Sequence, residues 1–201
     1  MSNRIVLDSP RLLLREWQDE DLPDLLEGLN NLEISRWLAR IPYPLTEEAG
    51  RRFIARCRAA ARENPRCDYE FAIERKAGGN VIGCVGLSGI DRFNGTAGGG
   101  IWINAAYHGY GYGREAFDAR IRFAFETLGL RRLENGFLAG NEASRRMQES
   151  LGYRIEGTRR QGFRCAADGQ YKDEVVTGLL REEWKPMGQE SLYDSQRRIS
   201  E

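Results

Sequence analysis

The residues from Ile101 to Ala116 hold the strongest concentration of chemistry in this chain. An apolar run, Ile101-Trp102-Ile103, leads into a loop with glycine at 109, 111 and 113, and then into a helix whose first turn carries Arg114. Glycines at alternate positions let the backbone curl so that successive N–H groups aim at one point. With the positive end of the following helix, those groups form a site for a phosphate or pyrophosphate. Two familiar phosphate loops do not fit. A dinucleotide fingerprint wants Gly-x-Gly-x-x-Gly early in the chain, whereas here the third glycine falls at 113, one position short, with Arg114 in its slot. A P-loop wants Gly-Lys-Ser or Gly-Lys-Thr, and Gly113-Arg114-Glu115 is neither. The plain alternative is a glycine-rich turn that only lets a helix lie close to a sheet.

Hydrophobic periodicity gives the elements that must position this loop. Residues 4–7 and 11–15 read as an opening strand with a turn in it. Asp19 caps a helix to about Leu29, with Leu22, Leu25, Leu26 and Leu29 at helical spacing, and a short helix follows near 32–38. Pro42 and Pro44 exclude a helix there. Thr46 is an N-cap, Glu47 and Glu48 suit the first turn, and Phe53, Ile54 and Cys57 point inward. The period then changes: 69–74 and 81–87 form a hairpin about Gly78-Gly79-Asn80, and 98–103 is the strand that feeds the loop. The helix after the loop keeps Phe117, Ile121, Ala124 and Leu128 on one face until Gly129 closes it. Residues 132–138 form a strand, and Asn141 opens a helix with Ala143, Met147 and Leu151 on one stripe. Two last strands fall near 153–159 and 171–180. The reading is one α+β domain over residues 1–185, with 186–201 a polar tail or appended helix.

Composition narrows the classes of function. Lys+Arg 30 against Asp+Glu 30 leaves a net charge of zero, which gives no global field for nucleic acid or an anionic membrane. There is no apolar run of about 18 residues to span a bilayer, and the first residues lack the apolar core of a signal peptide. Cys57, Cys67, Cys84 and Cys165 are scattered, with no Cys-x-x-Cys pair, and read as reduced thiols of a cytoplasmic protein. With His108 the only histidine, no metal site and no Ser-His-Asp triad is expected.

The second half discriminates further. Asn141-Glu142-Ala143-Ser144, Gln148, Leu151-Gly152-Tyr153 and Glu156-Gly157 follow the loop by about one strand and one helix. Together with His108-Gly109-Tyr110-Gly111-Tyr112-Gly113, this resembles the GNAT family of acyl-CoA N-acetyltransferases, whose phosphate loop is Gln/Arg-x-x-Gly-x-Gly/Ala. Ser9-Pro10-Arg11-Leu12-Leu13-Leu14-Arg15 and Tyr43-Pro44-Leu45-Thr46 are similar to the branch that acetylates N-termini of ribosomal proteins. The resemblance covers residues 8–183. It implies a central twisted, mixed, mostly antiparallel sheet flanked by helices on both faces. It also implies acetyl-CoA as acetyl donor. The N–H groups of 109–114 would hold its pyrophosphate, and the pantetheine arm would run beside Ile101 and Ile103 like an added strand. Asn141 would fix that arm or simply cap its helix, and His108, Tyr110, Tyr112 and Arg114 would line the ligand.

Direct transfer needs a neutral amine, a donor for the developing oxyanion and a proton for the departing thiolate. The resemblance implies a main-chain N–H on the 101–103 strand as the oxyanion donor and Ser144 as the acid. Gln148 stands where many relatives keep a tyrosine. The base cannot be carried over, because Gly98 stands where relatives keep a glutamate. Glu70, Asp91, Glu156 or a water chain remain open for that role. Trp37, Arg40 and Tyr43 lie in the segment that covers the acceptor side in this family, with core packing the alternative for Trp37. The acceptor is an amine on a protein N-terminus or a small molecule, and a second copy of the chain is an open partner. A non-catalytic acyl-CoA binder and a nucleotide-binding enzyme are the competing readings.

Overall fold

The protein is described here by a computed structural model covering residues 5–187. The expected tail therefore lies outside the described residues from 188 onward. Strands β1 (Leu7–Asp8) and β2 (Leu12–Glu16) form the opening hairpin. A 3-10 turn over Asp19–Asp21 precedes α1 (Leu22–Leu29), so Asp21, not Asp19, is the residue before the helix proper. Helix α2 is short, Leu32–Ser35, with the Asn31 side chain accepting from the Glu33 N–H. Helix α3 (Glu47–Ala60) starts where its cap requires, with the Thr46 hydroxyl accepting from the Ala49 N–H at 3.2 Å.

The hairpin of β3 (Tyr69–Arg75) and β4 (Val81–Asp91) is the centre of the molecule. The single strand expected at 98–103 is two, β5 (Thr96–Gly98) and β6 (Ile101–Ile103), broken by a glycine bend. Gly99 has φ 145°, and a Cβ there would overlap the Gly86 carbonyl oxygen, so only glycine makes this turn. Helix α4 (Tyr112–Arg122) runs into a wider π turn over Phe123–Thr127. Strand β7 (Arg132–Leu138), helix α5 (Glu142–Ser150), β8 (Arg154–Arg164) and β9 (Tyr171–Leu180) complete the fold.

The nine strands form one mixed, mostly antiparallel sheet in the order β1-β2-β3-β4-β5-β7-β9-β8, with β6 also on β4. Alternation along β3 sends Tyr69, Phe71 and Ile73 to one face and Glu70 and Ala72 to the other. On the first face, Phe117 and Ile121 of α4 and Ala124 of the π turn pack with Leu12, Leu14, Phe71, Ile73 and Leu133, joined by Met147 of α5 and Leu151 just after it. On the second, Leu22, Leu25 and Leu29 of α1 and Ile54 and Cys57 of α3 cover Trp17, Ala72 and Cys84. Burial of each such large apolar side chain contributes about 1.5–3 kcal/mol, so these two layers hold the sheet rigid. One expected core position on α5 differs. Ala143 is exposed and Gln148 takes the inward place on α5.

The sheet is open where β5 gives way to β6. Strand β5 pairs in parallel with β7 at only two positions, Thr96 with Arg132 and Ala97 with Leu133. Beyond the bend, β6 pairs with β4 alone, and β7 continues with β9 alone. The two strands part at Gly98 and Gly99, leaving a wedge that opens toward the glycine loop.

Candidate active site

The loop is built from β6 outward. Asn104 anchors its entry, donating its N–H to the Ile82 carbonyl (2.8 Å) while its side chain accepts from the Ala106 N–H (3.1 Å). After a 3-10 turn over Ala105–Tyr107, the His108 ring donates from Nε2 back to the Ile103 carbonyl at 2.8 Å. That bond commits His108 to fixing the loop. Gly109 and Gly111 both take left-handed backbone, φ 82° and 81°. Gly113 does not; it lies in the first turn of α4, and a Cβ there would meet Ile103 at 3.5 Å and Met147 at 3.6 Å.

The result is a row of free donors. Among the described residues, the N–H groups of Gly109, Tyr110, Gly111, Tyr112, Gly113 and Arg114 have no acceptor, and the first bond inside the new helix is Glu115 N–H to the Gly111 carbonyl. Four of these are the orphan donors of any helix start, and the left-handed glycines add the others to the same concave surface. Arg114 itself turns aside, its guanidinium donating to the Ser150 carbonyl at the end of α5 (3.4 Å).

A clamp unanticipated from sequence holds this helix start. Glu115 is buried and accepts from the Ser9 hydroxyl (2.8 Å), the Arg11 N–H (2.8 Å) and Arg11 Nε (2.7 Å). Burial would raise its pKa, but those three bonds outweigh it and hold the carboxyl below its ordinary value. Arg11 also donates to the Tyr110 carbonyl (2.9 Å) and lies over the Tyr112 ring at 4.6 Å. The Ser9-Pro10-Arg11 segment and the Glu115-Ala116 segment are thus two halves of one fixture.

On the other side of the wedge, Asn141 caps α5, its Oδ1 accepting from the Ser144 N–H at 3.1 Å. Its Nδ2 has no partner among the described residues, so capping leaves the amide donor available. Ser144, half-buried, accepts from Gln148 Nε2 (3.0 Å), and Gln148 Oε1 accepts from the Thr177 hydroxyl (2.6 Å). Gln148 and Thr177 are buried at 1% and 2% exposure. The chain of donors runs Thr177 to Gln148 to Ser144. One lone pair of the serine oxygen is used, and its own proton is left to give. Neither partner was foreseen; the available signal was Gln148 four residues after Ser144, one helical turn on.

The three candidate bases differ sharply. Asp91 ends β4, where the Asn94 N–H (2.9 Å) and Asn94 Nδ2 (2.7 Å) of the following turn hold its pKa down. Glu156 makes a two-pronged pair with Arg132 (2.8 and 2.5 Å), which lowers its pKa. Glu70 goes the other way. Burial beneath α3 raises its pKa, against a hydrogen bond from Cys84 Sγ at 3.4 Å. Behind the wedge, Arg120 of α4 is fully buried over the Phe117 ring (4.3 Å), and its nitrogens have no acceptor among the described residues. Burial lowers its pKa, against the pull of Tyr153 and Glu70.

Trp37 is half-buried and outside both cores; a Cβ on Gly140 would lie 3.7 Å from its ring, beside Asn141. Tyr43 and Arg40 are exposed. The β8–β9 turn closes this side, with the Ala166 N–H on the Ala39 carbonyl (3.0 Å) and Lys172 Nζ on the Arg36 carbonyl (3.0 Å). All four cysteines are free thiols. Among the described residues no group of His, Cys, Asp and Glu is placed to hold a metal, and no helix is long and apolar enough to cross a membrane.

Known proteins resemble this chain in sequence and in fold. The acetyltransferase (GNAT) domain family matches residues 11–154. YdaF of Bacillus subtilis, named as a candidate ribosomal N-acetyltransferase, is 35% identical over 107 residues, which span 53% of this chain and 57% of that protein. Ribosomal-protein-S5-alanine acetyltransferase from Vibrio fischeri has the same fold, with a TM-score of 0.76, 20% identity, and coverage of 90% of this chain and 100% of that one. So does spermidine N-acetyltransferase from Vibrio cholerae, solved with CoA and spermine, at a TM-score of 0.72, 20% identity, and coverage of 87% and 98%. With a glycine loop of free donors, a split sheet and a family match over both, the chain belongs to the GNAT acetyltransferase family.

Proposed function

We propose that this protein transfers the acetyl group of acetyl-CoA to a primary amine by direct attack. The observation that carries this reading is the row of six unpaired N–H groups at 109–114, placed at the mouth of the wedge between β6 and β7. That surface suits a pyrophosphate, and the free edges of β6 and β7 suit an extended arm bearing amides, which would pair with them as a strand does. When bound, acetyl-CoA supplies an activated acyl thioester.

The chain's residues then divide the work. The loop N–H groups and the positive end of α4 bind the diphosphate. Asn141 Nδ2 and the main chain of Ile101 and Ile103 orient the arm, and an N–H on that strand receives the charge that develops on the carbonyl oxygen. Ser144, fixed as a donor by Gln148, gives a proton to the departing sulfur. Trp37, Arg40 and Tyr43 border the acceptor side. The acceptor is a protein N-terminus or a small-molecule amine, and the two neighbours named above for ribosomal-protein-S5-alanine and for spermidine mark the range of the panel.

The test is mass spectrometry of a panel of peptides, polyamines and amino sugars incubated with the protein and acetyl-CoA. Acetylated product with matching thiol release supports transfer. Tight acetyl-CoA binding with no product from any amine would leave the protein a non-catalytic acyl-CoA binder.

A further inference from the structure

We propose that Glu70 is the general base of this protein, reaching the amine across a window of glycines in the centre of the sheet. The proposal rests on the acetyl-transfer reading. It supplies the base that Gly98, in the place of the relatives' glutamate, cannot.

Register places Glu70 of β3 directly opposite Gly86 of β4. Its carboxylate lies over that glycine, where a Cβ would overlap it. On the far side, the Gly86 N–H donates to the Gly100 carbonyl at 2.9 Å, and Gly99 presses against the Gly86 carbonyl. Carboxylate, Gly86 and the bend at Gly98, Gly99 and Gly100 therefore lie in a line across adjacent strands, with no side chain at Gly86 to block it. Strands are about 4.8 Å apart, so one water bridges from the carboxylate to an amine at the bend. The line is open to solvent: Gly100 is exposed, and Gly98, Gly99 and Glu70 are each part-exposed.

The faces are also right. Glu70, Cys84 and Trp102 share the face covered by α1 and α3, whereas α5 brings Ser144 to the opposite one. An amine entering from the Glu70 side attacks with the leaving sulfur on the Ser144 side. The nitrogen lone pair forms the C–N bond and the C–S pair departs with sulfur. The nitrogen's surplus proton passes to Glu70 and Ser144's proton to sulfur, and water then resets both groups. The groups acting on Glu70 are Cys84 on β4, Arg56 and Cys57 on α3 and Asp68 before β3, with Arg120 of α4 acting from the other side of the sheet. Burial and Asp68 favour its protonated form, and Arg56 and Arg120 oppose them.

The experiment compares wild type, Glu70→Gln, Ser144→Ala and Glu70→Gln with Gly98→Glu on the best amine of the panel. Gly98 has room, its nearest Cβ contacts being backbone oxygens at 3.7 and 3.8 Å. Glu70→Gln should lower kcat at pH 7 by about 100-fold with KM for acetyl-CoA unchanged, the scale of a lost general base. Its rate should then climb about tenfold per pH unit toward the pKa of the amine, and Gly98→Glu should recover at least about tenfold. Its melting temperature at pH 7 should not fall, since glutamine keeps the shape of the side chain and removes a carboxylate whose ionised form its surroundings disfavour. Glu70→Gln within twofold of wild type, beside a large loss in Ser144→Ala, would overturn Glu70 and leave acetyl transfer standing. A loss accompanied by a lowered melting temperature and recovered neither by pH nor by Gly98→Glu would make Glu70 structural, which also overturns the proposal. Wild type that turns over no amine would remove the acetyl-transfer reading itself.

Discussion

The proposed donor role of Ser144 rests on a neighbour. A serine hydroxyl can donate one proton and accept two, and nothing in its own turn of helix decides which. Gln148 decides it by occupying an acceptor position, and Thr177 decides the orientation of Gln148 in turn. Ser144→Ala should lower kcat by at least about tenfold while acetyl-CoA affinity, measured by calorimetry, stays the same. Gln148→Met should lower kcat less, and should cost nothing further in the Ser144→Ala background. Additive losses in that double-mutant cycle would separate the two residues. At this scale the sequence was half legible. Asn141 stands out as a helix cap, and Ser144 through the resemblance of Asn141-Glu142-Ala143-Ser144 to the acetyltransferase family. Gln148 does not, because the apolar stripe that locates an inward face counts Ala143 and passes over a polar residue. Its burial depends on Thr177, 29 positions away on β9.

Among the elements, α4 shows both what spacing reveals and what it conceals. Phe117, Ile121 and Ala124 pack inward as their spacing requires, but Leu128 is only part-buried, because the π turn over Phe123–Thr127 inserts an extra residue and rotates the stripe. The helix start was visible from its glycines, whereas the clamp that fixes it was not. Glu115 is held by Ser9 and Arg11, 106 and 104 positions away, and no local pattern connects them. Because the folded carboxyl is held below its ordinary pKa, its contribution to stability is complete above the unfolded value. It is lost as pH falls through the folded one. Glu115→Gln should therefore cost about 1–3 kcal/mol at pH 7 in denaturant unfolding. The gap from wild type should close as pH falls from the unfolded value through the lower folded one, beneath which the carboxyl is protonated in both states. A gap unchanged by pH would remove the charge from the explanation.

For the whole molecule, alternation in 69–74 and 81–87 made the central hairpin legible, but the three glycines before Ile101 read as part of one strand, not as the break they make between β5 and β6. What they could not disclose is that β7 pairs with β5 at only two positions before leaving for β9, since register between distant strands is set by tertiary packing. The site thus draws on both halves of the sheet, and acetyl-CoA should stabilise the fold as a unit. At about 100 times its Kd it should add about 2.7 kcal/mol. For a chain of this length that is a rise of about 5–11 °C in Tm, with ATP and NAD giving none. The clamp at Glu115 adds a condition of time. A ribosome working at about 5–20 residues per second makes Glu115 roughly 5–20 s after Arg11. Until then the opening strand has no anchor at the helix start and the loop has no fixed curvature. Competence to bind the cofactor therefore arises late in synthesis, and a nascent chain arrested before residue 115 should elute freely from an immobilised CoA matrix.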